Sequence, residues 1–125
     1  MNVIDLVKNY LTYEGYQPEV DQDGDIHFRC QGLHLYCTNS GKDQQYLRLL
    51  LPNIYQVENN RTKVLEVSNQ LSKEYKVLKS FLVDDSLWLA IEIFIDSTPE
   101  IGDFMGRCIN ILTSARLDAF RYLNE

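Results

Sequence analysis

Hydrophobic and polar residues alternate along this chain with two different periods, and the switches between them mark out the elements. Val3 to Tyr13 places Val3, Val7, Tyr10 and Leu11 at helical spacing, with Gly15 just beyond in the position of a left-handed cap; this predicts a short amphipathic helix. From Ile26 the period changes to two. Ile26, Phe28 and Cys30 alternate with His27 and Arg29, and Leu33, Leu35 and Cys37 alternate with His34 and Tyr36. Gln31-Gly32 lies between these runs as a turn, because glycine accepts positive φ. A hairpin with Cys30 opposite Leu33 sets Phe28 against Leu35 and Ile26 against Cys37, all on one face. His27, Arg29, His34 and Tyr36 then share the other face.

Asn39 to Asp43 reads as a loop. Tyr46 to Leu51 follows as a third strand, with Leu47, Leu49 and Leu51 on one side and Tyr46, Arg48 and Leu50 on the other. Pro52 is expected to end it, having no N–H to donate. Asn60 is placed to cap a helix running to about Tyr75, with Val64, Val67, Leu71 and Tyr75 as its apolar stripe. Lys76 to Val83 predicts a fourth strand whose facing the pattern leaves open. A turn over Asp84, Asp85 and Ser86 leads to a fifth strand, Leu87 to Ile95. In that strand Leu87, Leu89, Ile91, Ile93 and Ile95 oppose Trp88, Ala90, Glu92 and Phe94. Ser97-Thr98-Pro99-Glu100 has the form of a capping box with proline in the first turn, opening a helix to about Leu123. Its stripe is Ile101, Phe104, Met105, Cys108, Leu112, Ala115 and Ala119. The order α-β-β-β-α-β-β-α, with short turns between strands, predicts an α+β fold: an antiparallel sheet of about five strands with helices on its aliphatic face.

The chain has 125 residues, enough for one core, and residues 1–125 are read as a single domain. A formal net charge of −6 argues against non-specific binding to nucleic acid or to anionic membrane, which needs a basic field. No apolar run approaches the ~20 residues that span a bilayer. "MNVIDLVKNY" lacks the basic start of a signal peptide, so a cytoplasmic location with reduced thiols is expected for the three cysteines.

"DGDIHFRCQGLHLYC" has the composition of a metal site, yet its geometry argues otherwise. Tetrahedral zinc needs four donors within ~2.0–2.3 Å of one point. Period two sends Cys30 and Cys37 to the core face and His27 and His34 to the opposite one. Asp21, Asp23 and Asp25 resemble the start of an EF-hand loop, but its sixth and twelfth places hold Ile26 and Gly32 in place of glycine and glutamate. No metal and no cofactor is expected. Neither a phosphate-binding glycine loop nor a nucleophile elbow occurs, and the histidines have no triad partners, so no catalytic residue is assigned. Asp84-Asp85 reads as a solvated turn. Glu92, a lone carboxylate between Trp88 and Phe94, reads as an ion-pair partner. The feature with most physical content is the second sheet face. Tyr36, Tyr46, Arg48, Trp88 and Phe94 project there, a composition of aromatics and arginine typical of protein contact surfaces. Alternatively, one of the helices covers this face and the aromatics are core.

"VLEVSNQLSKEYKVLKSFLVDDSLWLAIEIFID" resembles the helix–strand–acidic turn–strand signature of YbjN-like proteins, which are similar in fold to type III secretion chaperones of the Tir-chaperone kind. The matching features are Asn69, the strand from Lys76 to Val83, the Asp84-Asp85 turn, and a strand ending before a Thr-Pro helix start. "TPEIGDFMGRCINILTSARLDAFRYL" is similar to the long closing helix, so the resemblance spans nearly the whole chain. It implies a small, acidic, cytoplasmic protein that often dimerises, and a non-enzymatic role in which apolar surface holds an extended segment of a partner. The expected function is therefore a chaperone- or adaptor-like interaction module, binding a protein partner or a second copy of itself through Tyr36, Tyr46, Arg48, Trp88 and Phe94 and any free sheet edge. The alternative expectation is a regulatory domain with a small-molecule pocket near His27, His34, Arg48 and Glu92.

Overall fold

The computed structural model describes residues 2–97 and 99–125. It opens with helix α1 (Val3–Tyr13), where the side chain of Asn2 accepts from the amide of Asp5 and Val3, Val7 and Leu11 face inward. The helix stops where expected. Gly15 takes φ +94°, and the amide of Tyr16 turns back to the carbonyl of Leu11 at 2.9 Å.

Strands β1 (Glu19–Val20), β2 (Ile26–Cys30), β3 (Leu33–Cys37) and β4 (Tyr46–Gln56) follow, then helix α2 (Arg61–Glu74), strands β5 (Leu78–Val83) and β6 (Ser86–Phe94), a 3₁₀ turn (Ile101–Asp103) and helix α3 (Met105–Leu123). The fold is α+β, as expected. The six strands lie in the order β1-β2-β3-β4-β6-β5, every neighbouring pair antiparallel. The β2–β3 register is the predicted one, with Cys30 opposite Leu33, Phe28 opposite Leu35 and Ile26 opposite Cys37. Gln31 and Gly32 both have positive φ, +53° and +77°, the conformation that matches the twist of a tight hairpin.

Beyond shifts of one or two residues at the ends of β5 and β6, four features differ from the sequence reading. A sixth strand, β1, pairs with β2 through Glu19 and Val20. Pro52 does not end β4: the strand runs on to Gln56 across a register shift between Leu51 and Tyr55. A bulge leaves residues without a rung, so the missing N–H of Pro52 breaks no ladder bond there. Asn60 begins α2 but makes no cap bond from its side chain. Its Oδ1 accepts from the amide of Glu58 at 3.2 Å and its Nδ2 donates to the Tyr55 hydroxyl at 2.8 Å, ties that fix the turn before the helix. The closing helix starts later than the expected capping box. Thr98 lies outside the described residues, Ser97 sits in a bend, and Glu100 precedes the 3₁₀ turn; the α-helix begins at Met105, after Phe104 at φ −135°. Gly102 and Gly106 lower helix propensity across this stretch, and a Cβ at Gly106 would stand 3.4 Å from the Tyr10 hydroxyl on α1.

One cluster of buried side chains joins the inner stripes of α1, α2 and α3 to Ile26, Phe28, Leu35, Leu47, Leu49, Leu51, Leu87, Leu89 and Ile91 of the sheet. All three helices therefore lie on the aliphatic side. The outer edge at β5 is partly sealed by α2, whose Ser72 hydroxyl accepts the amide of Ser80 at 3.0 Å while Ser68 and Ser80 share a hydroxyl hydrogen bond of 2.9 Å.

Candidate functional site

The helices leave the second face of the sheet open. One row of side chains crosses it over all six strands: Glu19, His27, Tyr36, Leu50, Ala90 and Lys79, each directly opposite the next. Leu50 is 7% exposed and Ala90 is fully buried, yet neither belongs to the helix-covered core. Larger neighbours on their own face shield them. The five residues expected from sequence all project from this face.

Tyr46 lies opposite Phe94, their rings meeting edge to face at 6.4 Å. Arg48 lies opposite Glu92, with Nε 3.5 Å from Oε1. The attraction there is between charges, because this buried Nε–H is not aligned for a hydrogen bond. Lys79 reaches the same carboxylate oxygen at 3.4 Å, so Glu92 is shared between two cations, as an ion-pair partner should be. Burial, then a hydrogen bond to Glu92, raises the pKa of the Tyr46 hydroxyl and holds it protonated.

Trp88 is half-buried and anchored. Its indole Nε1 donates to Oδ1 of Asn53 at 3.1 Å, and the hydroxyl of Ser86 donates to the same oxygen at 2.7 Å. Asn53 can reach both because it occupies the β4 bulge at φ +54°. Phe81 is the aromatic that sequence reasoning missed: it lies opposite Trp88 with ring centroids 6.3 Å apart, and the Lys79 ammonium sits 5.5 Å from its centroid. Phe94, at the end of β6, is 87% exposed.

The cysteines and histidines of the hairpin separate as the alternation requires. Cys30 and Cys37 are buried as free thiols, and burial pushes the Cys37 thiol up to about 12. On the other face Nε2 of His27 and Nδ1 of His34 stand 2.7 Å apart, within hydrogen-bond distance, with Tyr36 stacked on His27 at 4.9 Å. Among the described residues no group of three or more His, Cys, Asp or Glu is arranged to hold a metal ion. The acidic turn serves the backbone: Asp21 accepts the amides of Asp23 and Asp25, and Asp25 accepts that of Asn39 at 2.6 Å.

The alternative pocket does not assemble. His34 borders a cleft of about 340 Å³ with Pro52 and Arg116, while His27 borders another, of about 390 Å³, with Tyr16 and Glu19. Arg48 and Glu92 pair with each other in the middle of the sheet, and the Tyr36–Leu50 pair stands between them and the histidines. Among the described residues no helix is long and apolar enough to cross a membrane.

An antiparallel sheet with helices on one side and an aromatic, charge-paired face on the other defines an α+β fold of the secretion-chaperone type. The chain belongs to the family described as T3SS (YopN, CesT) and YbjN peptide-binding chaperone 1, whose sequence model matches residues 2–98. Solved structures share the fold, among them two crystal structures. YbjN from E. coli superposes with a TM-score of 0.70 at 14% identity, covering 96% of this chain and 92% of that one. The Yersinia pestis type III secretion chaperone SycH, in complex with a stable fragment of YscM2, superposes with a TM-score of 0.63 at 16% identity, covering 92% of this chain and 97% of that one. No curated protein sequence matches.

Proposed function

We propose that this protein is a non-enzymatic, chaperone- or adaptor-like module that holds a segment of a partner polypeptide on the open face of its sheet. Tyr36, Tyr46, Arg48, Trp88 and Phe94 are its contact residues, joined by Phe81. The observation that carries this reading is the segregation of the two faces. Helices consume the aliphatic face, while rings and paired charges stand on the side that no helix packs against. Tyrosine, tryptophan and arginine offer large contact areas with few rotatable bonds, and Asn53 holds Trp88 ready, which lowers the entropy lost on binding. Membership of a peptide-binding chaperone family supports the same role, and SycH is a structural relative seen with a protein fragment bound. Three free, buried cysteines fit a reducing cytoplasm.

The test compares wild type with Trp88→Ala and Phe94→Ala in affinity capture from host extract and in light-scattering mass. Either variant should lose a captured partner, or a dimer, while its melting temperature stays near that of wild type. Capture and mass that survive both substitutions would remove the sheet face from the mechanism.

A further inference from the structure

Where β6 ends and α3 begins, two clefts adjoin, and Ile93 and Phe104 line both. The first has a volume of about 240 Å³, the size of one bulky side chain. Val77 and Ile111 complete its apolar wall, Cys108 lies at its floor, and Lys76 and Arg107 stand at its rim. The second, of about 470 Å³, is walled by Phe94, Ile95 and Pro99, and its charges are all acidic: Asp96, Glu100 and Asp103. The two form one apolar groove with a basic end and an acidic end. Among the described residues none of these five charges is engaged in an ion pair. In a chain of net charge −6, two unneutralised cations flanking an apolar slot are a local reversal of sign.

The backbone adds an independent observation. Val77 takes φ +56°, the left-handed region, which a β-branched residue adopts only under strain. Its side chain is 52% exposed, so the core does not require it. What its isopropyl group does make is a wall of the cleft. The turn from α2 to β5 fixes this conformation, and with it the place of the isopropyl group beside Ile111.

We propose that this groove is a specificity pocket for an extended peptide segment in which an apolar anchor residue lies between an acidic residue on one side and a basic residue on the other. The anchor fills the cleft beside Val77 and Ile111. The acidic flank pairs with Lys76 and Arg107, and the basic flank pairs with Asp96, Glu100 and Asp103. Phe94 belongs both to the groove and to the open sheet face, so a bound chain passes from one to the other around it. The inference rests on the polypeptide-binding reading and adds to it a charge pattern for the ligand.

The test is fluorescence anisotropy with labelled decapeptides that share a central leucine pair. One set carries acidic and basic flanks in either order; the controls carry two acidic or two basic flanks. Wild type should bind one of the bipolar orders about tenfold tighter than either control. The double variant Lys76→Glu/Arg107→Glu should reverse this and prefer two basic flanks, an outcome that loss of folding cannot imitate. Val77→Gly should bind the bipolar peptide at least about fivefold more weakly while melting no lower than wild type, since glycine relieves the strain. Equal binding of all charge patterns, no binding of any peptide to wild type, or indifference to the charge reversal would each overturn the groove. Trp88→Ala in the same assay separates the two proposals. If only Trp88→Ala abolishes binding, the sheet face stands and the groove falls. If only the charge reversal changes it, the groove stands and the sheet-face reading fails.

Discussion

Asn53 offers the sharpest single-residue test of how the open face is held. Its Oδ1 accepts from the hydroxyl of Ser86, which is 9% exposed, and from the indole of Trp88, which is half open to water. Alanine would leave the Ser86 hydroxyl without its acceptor in a nearly dry position, costing about 1–3 kcal/mol. The indole can recover a water, so its loss adds only about 0.5 kcal/mol. A third contribution comes from the backbone, because φ is +54° here and alanine in the left-handed region costs about 1 kcal/mol more than asparagine. Asn53→Ala should therefore destabilise by about 2.5–4.5 kcal/mol. Asn53→Gly loses the hydrogen bonds but not the backbone fit, and should recover about 1 kcal/mol of that. Asn53→Asp keeps the acceptor and should stay within about 0.5 kcal/mol of wild type at neutral pH.

The assay is urea unfolding followed by tryptophan fluorescence, and Trp88 is the sole tryptophan of the chain, so the signal comes from the residue being tethered. At this chain length 1 kcal/mol moves a melting temperature by about 3–5 °C, which puts the alanine variant about 8–22 °C below wild type. The native alanine variant should also show readier quenching of Trp88 by iodide. The reasoning fails if alanine and glycine are equally destabilising, or if alanine unfolds at the wild-type midpoint.

Two further substitutions probe the frame. Gly24→Ala would place a Cβ 2.5 Å from Nδ2 of Asn39 at φ +84°, displacing the side chain that bonds the Asp23 carbonyl, whereas Gly41→Ala at φ +63° meets open space. Thermal melting should show a loss of about 2–3 kcal/mol for the first and only about 1 kcal/mol for the second; equal losses would refute the steric part. Tyr75 donates a hydrogen bond to Asp118, which lowers the carboxyl pKa below 3.8, while burial first and then this bond raises the tyrosine to about 12. A depressed carboxyl pKa contributes stability above 3.8 that disappears as pH falls through the lower folded value. A raised tyrosine pKa contributes stability below 10 that disappears as pH rises towards 12. Tyr75→Phe should therefore lower stability between these limits and flatten its fall at both ends; an unchanged pH profile of the melting temperature would exclude the linkage.

Much of this architecture was legible in residue order because sheet and helix periods are unambiguous where oily and polar residues alternate strictly. The hairpin register followed from Ile26 to Cys37 alone, since a slip of one residue would have put every leucine in water. The fourth strand was opaque for the opposite reason: "KVLKSFLV" is apolar on both faces. Its facing was nevertheless encoded in the turn. Taking Asp84-Asp85 alone as the loop pairs Val83 with Ser86, and Phe81 then falls opposite Trp88; adding Ser86 to the turn hid this. Pro52 misled because a bulge is a tertiary device, visible only when Tyr55 is seen to pair with Leu87. β1 spans two residues and carries no period at all. As for the site, alternation tells which side chains share a face but not which face the helices take. The aliphatic side offered the larger apolar area, and the helices cover that side.

A sheet covered on one side must make its other side tolerable to water, and antiparallel sheets do so by alternating polar residues outward. Here that solution is only half applied. Tyr36, Tyr46 and Trp88 keep a polar group for solvent or a neighbour, and over Leu50 and Ala90 the face already forms a small dry centre. Phe94 departs from this logic: it has no polar group, and 87% of its surface is wet. Covering such a ring yields about 1.5–3 kcal/mol, more than any rim ion pair on this surface would contribute. A partner segment laid along the sheet would therefore gain most at the end of β6. That is also where the sheet face meets the bipolar groove, so occupation of one surface would bury part of the wall of the other. Two weak contacts joined at Phe94 would bind as one, and Phe94→Ala should then weaken both halves together, where Trp88→Ala weakens the sheet half first.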